Sequence, residues 1–327
     1  MKKVLLTGAL GQLGTELTVA LRARYGAENV IATDIRPPEE SNELAGSGPF
    51  MRLDCTDGEK LSEIVSDNRV GTVYHLAALL SAVAEAHPMT AWHTNMNGLL
   101  TVLEVAREEK CAVFTPSSIG AFGPNTPKDF TPQDTIQRPT SMYGVTKVSG
   151  ELLCDYYYRK YAVDTRGVRY PGIISNVAPP GGGTTDYAVE IYHHAVENGR
   201  YICFLEGDTY LDMIYMPDAI KAAMDLMEAE PAKLRHRNAF NITAMSFCPE
   251  DLAAYIRKYI PEFEISYKVD PVRQAIANSW PNCLEDYAAK VEWNWEPEYD
   301  LDSMTRDMLK TLSSRRRNHA RLNEKGS

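Results

Sequence analysis

The segment Val4-Leu5-Leu6-Thr7-Gly8-Ala9-Leu10-Gly11-Gln12-Leu13-Gly14 carries an apolar run through three glycines into an amphipathic stretch, Leu13 to Arg24. The run reads as a buried strand, Lys3 to Thr7, and the amphipathic stretch as a helix. Between a strand and a helix the glycines have separate uses. Gly8 permits a tight turn, Gly11 lets backbone N–H groups approach an anion, and Gly14 lets helix and strand pack closely. The helix N-terminus then faces a pyrophosphate, with Leu10, Gln12 and Leu13 completing the loop. Glycine spacing alone also fits a surface turn. Asp34 decides between the two, because it ends a second strand 20 residues after Gly14, where a carboxylate accepts hydrogen bonds from ribose hydroxyls. The combination points to NAD, since Asp34 repels the extra phosphate of NADP. Arg36 softens that preference, because a guanidinium can meet a phosphate or stack on adenine.

Outward from this loop, short apolar runs alternate with helical patterns. Val30 to Asp34, Phe50 to Asp54, Val73 to Ala78, Ala112 to Ser117 and Arg166 to Tyr170 read as further strands. Lys60 to Asp67, Met89 to Lys110 and Tyr143 to Tyr161 read as helices between them. Such alternation builds a parallel sheet covered on both faces, a doubly wound α/β fold. After Pro171 the rhythm breaks at Pro179, Pro180, Gly181, Gly182 and Gly183, and shorter elements follow to Leu312. The expected division is a dinucleotide domain over 1–175 and a smaller interleaved α/β lobe over 176–312, with segments returning to the first core. A polar, solvated tail carrying Arg315, Arg316 and Arg317 then spans 313–327.

Composition narrows the partners. The 327 residues are 44% apolar and carry a net charge of -10, which argues against nucleic acid as a partner. No apolar run reaches the ~18 residues a membrane span needs, and the first strand begins almost at Met1, leaving no room for a signal or transit sequence. Six scattered cysteines without a Cys-x-x-Cys pair fit reduced thiols in the cytoplasm, although a processed mitochondrial form looks the same. The seven histidines form no His-Glu-x-x-His motif or Cys/His cluster, so no catalytic metal is expected.

Two Tyr-x-x-x-Lys pairs, Tyr143 with Lys147 and Tyr156 with Lys160, lie on the same expected helix. At ~100° per residue the second tyrosine is turned about 220° from the first, so only one pair can face a given site. Tyr143 opens the helix, whereas Tyr156 belongs to Tyr156-Tyr157-Tyr158, an aromatic face. Ser117 and Ser118 end a strand at the carboxyl edge, where ligands of open α/β sheets bind, and either hydroxyl can hold a substrate alcohol or satisfy local backbone. A phenol ordinarily titrates near ~10, too high for a base at neutral pH, and a lysine cation beside it favours the phenolate. The expectation is hydride transfer coupled to proton abstraction by Tyr143, assisted by Lys147 and Ser118.

Taken together, Gly-x-x-Gly-x-x-Gly, Asp34, Asp54-Cys55-Thr56-Asp57, His75-Leu76-Ala77-Ala78, Asn95, Ser118 and Tyr143 with Lys147 resemble the extended short-chain dehydrogenase/reductase superfamily, of Rossmann fold. The resemblance implies that Asp54 holds the adenine amino group, Leu76, Ala77 and Ala78 line the adenosine side, Asn95 sits near the pyrophosphate and Tyr170 approaches the nicotinamide. Leu211-Asp212-Met213-Ile214-Tyr215-Met216-Pro217-Asp218 resembles the Arg-Asp-Phe-Ile-His-Val-x-Asp of nucleotide-sugar epimerases. Leu211 stands where those enzymes grip a diphosphate with arginine, and leucine cannot neutralise one.

Longer stretches are similar to the short-chain type of L-threonine 3-dehydrogenases: Pro116 to Pro124, Arg169 to Ser175, Pro180 to Ala188 and Asn278-Ser279-Trp280-Pro281. That likeness implies oxidation of the L-threonine 3-hydroxyl by NAD to 2-amino-3-ketobutyrate, and a homodimer formed through the helices Met89 to Lys110 and Tyr143 to Tyr161. The residues are compatible with a small zwitterion. Gly181 to Gly183 with Thr184 and Thr185 offers donors for a carboxylate, as does Ser81, although the loop also reads as plain surface. Trp280 either closes the pocket or fills the core. Two other functions stay open: a nucleotide-sugar epimerase or dehydratase that retains its NAD, and a non-catalytic NAD-binding regulator.

Overall fold

The computed structural model describes residues 3–39, 42, 44–177 and 183–325. Its main sheet has six parallel strands: β1 (Lys3–Thr7), β2 (Val30–Asp34), β3 (Phe50–Arg52), β4 (Val70–His75), β5 (Ala112–Phe114) and β7 (Thr165–Arg166). Their order is β3-β2-β1-β4-β5-β7, with every pairing parallel. The order reverses beside β1, the point where such sheets open a crevice at their carboxyl ends. Side chains alternate between the two covered faces. Leu6 of β1 packs with α1 (Gln12–Tyr25), while Leu5 packs with α2 (Gly58–Asn68) and two later helices. This is the doubly wound fold expected.

Two expected strands divide, and at the same level. Ala112 to Ser117 breaks after β5 because Pro116 has no N–H to donate, and the chain resumes as β6 (Ser117–Ser118). Arg166 to Tyr170 breaks at Gly167, where a Cβ would stand 2.4 Å from the Thr115 carbonyl oxygen. The chain continues there as β8 (Val168–Tyr170). Strand β8 pairs in parallel with β6 on one side and with β12 (Phe240–Asn241) on the other. These short strands extend the main sheet towards the crevice and carry the candidate chemistry there.

The expected helix Met89 to Lys110 is also interrupted. After α3 (Ser81–Ala86) come α4 (Pro88–Trp92), a wider π turn over His93–Asn97 and α5 (Gly98–Glu109). The π turn lies where Asn95 reaches back to both backbone groups of Leu79. Helix α6 (Met142–Tyr161) is continuous, its N-terminus capped by Ser141, whose Oγ accepts the Gly144 N–H.

The remaining chain builds a second core. Strand β9 (Gly172–Ile174) pairs with β11 (Leu211–Tyr215), which pairs antiparallel with β13 (Met245–Phe247). Strands β10 (Arg200–Cys203) and β14 (Glu264–Tyr267) form a separate parallel pair. Tyr187 and Ile191 of α7 (Tyr187–Asn198) pack there with Leu211, Phe247, Met304 and Met308. Segments of this half return to the first core through Met216, Ala219, Phe240 and Trp295. The last helix, Leu301–Lys325, continues well into the stretch expected as a solvated tail. Among the described residues, no helix is long and apolar enough to cross a membrane.

Candidate functional site

A cleft of about 260 Å³ opens at the carboxyl ends of the central strands, floored by Gly8, Gly11, Gln12, Leu13 and Gly14. The glycines are there for space. Gly8 has φ +70, and a Cβ on it would stand 2.6 Å from the Ala77 nitrogen; one on Gly14 would stand 2.2 Å from the Gly8 carbonyl oxygen. Gly11 caps α1 with no side-chain hydrogen bond, so the first N–H groups of the helix are not satisfied by a capping side chain. That cradle suits a pyrophosphate.

Asp34 lies at the rim of the loop, 8% exposed. Its Oδ2 accepts the Leu10 N–H at 3.1 Å and its Oδ1 accepts the Arg36 N–H at 3.2 Å. The Arg36 side chain is largely exposed, with Nε 3.9 Å from the same carboxylate. The loop therefore carries a fixed negative charge where a ribose would lie. Leu76 and Ala78 line the cleft, while Ala77 packs beneath Gly8. Asp54 accepts from the backbone N–H and the hydroxyl of Thr56, which hold its carboxyl below the usual range. It is not among the residues lining the cleft. These residues fit a dinucleotide of the NAD type.

Deeper in, Tyr143, Lys147 and Ser118 come together. A Cβ on Gly120 would stand 3.2 Å from the Tyr143 ring and 3.5 Å from Ser118 Oγ, so ring and hydroxyl share one glycine as their neighbour. Ser118 Oγ accepts the Gly120 N–H at 3.1 Å, which leaves its own proton for another partner. Lys147 Nζ donates to the Pro116 carbonyl at 2.7 Å and lies 5.4 Å from the centre of the Tyr143 ring. Tyr156, by contrast, is half exposed and stacks edge-on with Tyr157 and Tyr161. Beneath the site His75 is fully buried against the Thr7 hydroxyl. Burial and then the charge of Lys147 push it down to about 3, so it is neutral.

Three of the expected contact residues also have partners within the fold. Ser117 borders the cleft, but its hydroxyl proton is donated to Glu151, so of the two serines Ser118 is the one with a proton to offer a substrate oxygen. The Asn95 amide bonds both backbone groups of Leu79 and the Thr146 hydroxyl, tying the chain after β4 to α6. Tyr170 borders the cleft, yet its hydroxyl donates to the Ala219 carbonyl in the core at 2.6 Å.

The cleft is also lined by Ser81, Gly183, Thr184, Thr185 and Trp280. Trp280 is 8% exposed, belongs to the second core and also lines the cleft. The anion-binding loop proposed from Gly181 to Gly183 falls partly outside the described residues, as do Pro179 and Pro180. Asp186 was missed by the sequence reading. It lines the cleft too and accepts the Gly183 N–H at 2.7 Å. A lone acid after two threonines carries no pattern of its own, so only its position in space marks it. Among the described lining residues Asp186 and Lys147 are the charged side chains, and none is arginine. Leu211 is wholly buried in the second core.

The NAD dependent epimerase/dehydratase family matches residues 4–243. An uncharacterized epimerase/dehydratase of Staphylococcus saprophyticus is 56% identical over 315 residues, covering 96% of this chain and 98% of that one. The structure of L-threonine dehydrogenase from Clostridium difficile superposes with a TM-score of 0.95 at 60% identity, covering 96% of this chain and 98% of that one. L-threonine dehydrogenase from Phytophthora infestans superposes with a TM-score of 0.92 at 47% identity, over 96% and 100% of the two chains.

Proposed function

The chain belongs to the NAD dependent epimerase/dehydratase family, and on that premise we propose that it oxidises the 3-hydroxyl of L-threonine, with NAD, to 2-amino-3-ketobutyrate. The observation that carries this reading is the charge pattern of the cleft: one carboxylate, one ammonium and no arginine among the described lining residues. A small zwitterion fits that pattern, whereas a second diphosphate, beyond the one of NAD at the glycine loop, would find no arginine among the described lining residues. The similarity to L-threonine dehydrogenases at 60% and 47% identity supports the same choice.

In this reading Gly8, Gly11, Gly14 and the backbone of Leu10, Gln12 and Leu13 hold the pyrophosphate, and Asp34 holds the ribose. NAD, when bound, accepts the hydride that leaves the substrate carbon. Asp186 attracts the substrate ammonium, and Thr184, Thr185 and Ser81 receive its carboxylate. Ser118 donates to the substrate oxygen and orients it. Tyr143, as the phenolate, takes the hydroxyl proton while the C–H bond breaks, and the Lys147 ammonium stabilises that phenolate. Trp280 covers the substrate and excludes water.

Purified protein mixed with NAD and L-threonine is expected to produce NADH, followed by absorbance, and Tyr143→Phe to abolish turnover while NADH binding persists. A panel of 3-hydroxy acids and UDP-sugars run alongside distinguishes the alternatives: turnover of a UDP-sugar with silence on threonine would overturn the proposal. We also place the chain in the cytoplasm as a homodimer. The exposed Met89, Leu100, Val145 and Leu152 on α4, α5 and α6 supply an apolar face for the second copy. A sedimentation mass equal to one chain would contradict the dimer.

A further inference from the structure

Lys147 has a competitor for its charge on its own helix. Glu151 stands four residues further along α6, the spacing at which opposite charges on a helix meet, and both residues line one small cavity of about 30 Å³ that adjoins the cleft. Yet Lys147 turns to the Pro116 carbonyl and the Tyr143 ring, and Glu151 pairs with Arg169 on β8. Both members of that pair are buried, each side chain 7% exposed. Glu151 Oε1 accepts from Ser117 and from Arg169 Nε at 3.1 Å; Oε2 accepts from Arg169 Nη2 and from Gln137, each at 2.9 Å. Arg169 Nη1 is held in turn by the Gln133 carbonyl at 2.8 Å and the Asn241 side chain at 2.9 Å.

We propose that Arg169 is a positioning residue that guards Lys147: by neutralising and fully engaging Glu151, it keeps the lysine ammonium available to Tyr143. The proposal rests on the reading of Tyr143 and Lys147 as the acid–base pair. Without the guanidinium, an unneutralised carboxylate one helical turn away draws Lys147 off the phenol, and the active phenolate then forms only at higher pH. The other ionisable groups around Lys147 do not take over this role. His75 from β4 is neutral, Cys154 from α6 is buried with its thiol pushed up, and the Asp186 carboxylate, just before α7, accepts the Gly183 N–H. Arg169 is therefore the cation placed to cancel Glu151.

The test is the acid limb of the pH profile of threonine oxidation in three variants. Arg169→Gln is expected to move the limb up by about one pH unit, an approximately tenfold loss of rate on the acid side. Adding Glu151→Gln to it removes the competing charge and is expected to return the limb to its wild-type position. Arg169→Lys, which retains a cation, is expected to stay near wild type. A shared limb for Arg169→Gln and the double variant would overturn the proposal, since a merely structural loss lowers the rate without a shift that the second substitution reverses. Should Arg169→Gln not fold, the double variant and Arg169→Lys decide the matter. Both must keep the wild-type limb, and a shift of about one unit in either refutes the guard. Failure of the underlying reading looks different: the wild-type protein itself then yields no threonine-dependent NADH, or Tyr143→Phe remains active.

Discussion

Gly8→Ala puts the dinucleotide loop under a defined load. At φ +70 an L side chain is strained by about 1–2 kcal/mol. The new methyl also stands 2.6 Å from the Ala77 nitrogen, 2.7 Å from the Ala77 Cα and 2.9 Å from the Leu76 carbonyl carbon. All three are backbone atoms of the segment after β4, so no flexible side chain can swing aside. Overpacking of this kind costs about 1–3 kcal/mol, giving roughly 2–5 kcal/mol together. At about 2 °C per kcal/mol for a chain of this size, the melting temperature should fall by roughly 4–10 °C. If part of the strain is relieved by lifting the loop, a charge-assisted hydrogen bond to the pyrophosphate is lost as well. At about 1.5–3 kcal/mol that weakens NAD binding by roughly ten- to a hundredfold. Thermal unfolding with and without NAD, together with calorimetric titration of NAD, measures both. A variant within about 1 °C and twofold of wild type would refute the steric reasoning.

Ser118→Ala should lower kcat by roughly a hundredfold, whereas Ser117→Ala should affect stability more than turnover, since its hydroxyl serves Glu151; steady-state kinetics and melting curves separate the two. Asp186→Asn should raise the KM for threonine by about tenfold or more while NAD affinity, measured by titration, stays unchanged. Folded His75 titrates near 3, well below an unfolded histidine, so its contribution to stability is complete above pH ~6.5 and lost as pH falls towards 3. Between pH 7 and 5 that loss is about 2 kcal/mol, and His75→Gln should flatten this part of a urea-denaturation series; an unchanged slope would contradict the assignment.

The glycine loop, β1, β2 and Asp34 were legible in the sequence because each answers a demand made over a few neighbouring residues: a turn, a close approach, a strand end. Helical rotation separated Tyr143 from Tyr156, and the place of Tyr143 at the helix start chose between them. Ser117 and Ser118 could not be separated in that way. Their place at the strand end was plain, but which hydroxyl keeps its proton for the cleft depends on Glu151, 34 residues from Ser117. The break at Pro116 had a local signal that the reading of Ala112 to Ser117 as one strand passed over, whereas the break at Gly167 comes from the Thr115 carbonyl pressing on it from another segment. Asn95, Asp186 and the Arg169 pair belong to the same class. Their roles follow from partners that the fold supplies, and no local spacing marks them.

The π turn at His93–Asn97 couples two distant surfaces of the molecule. Each residue of a helix adds about 100° of rotation, so the additional residue taken up by the wide turn sets the rotational phase of everything beyond it. On the inner side that phase lets Asn95 meet Leu79 and Thr146; on the outer side it sets the direction in which Leu100 faces solvent. Deleting one residue here would act like a slipped tooth in a gear, turning α5 by about a quarter of a circle. The inner staple and the outer apolar face would lose their alignment together, from a change that touches neither the cofactor loop nor the reacting groups.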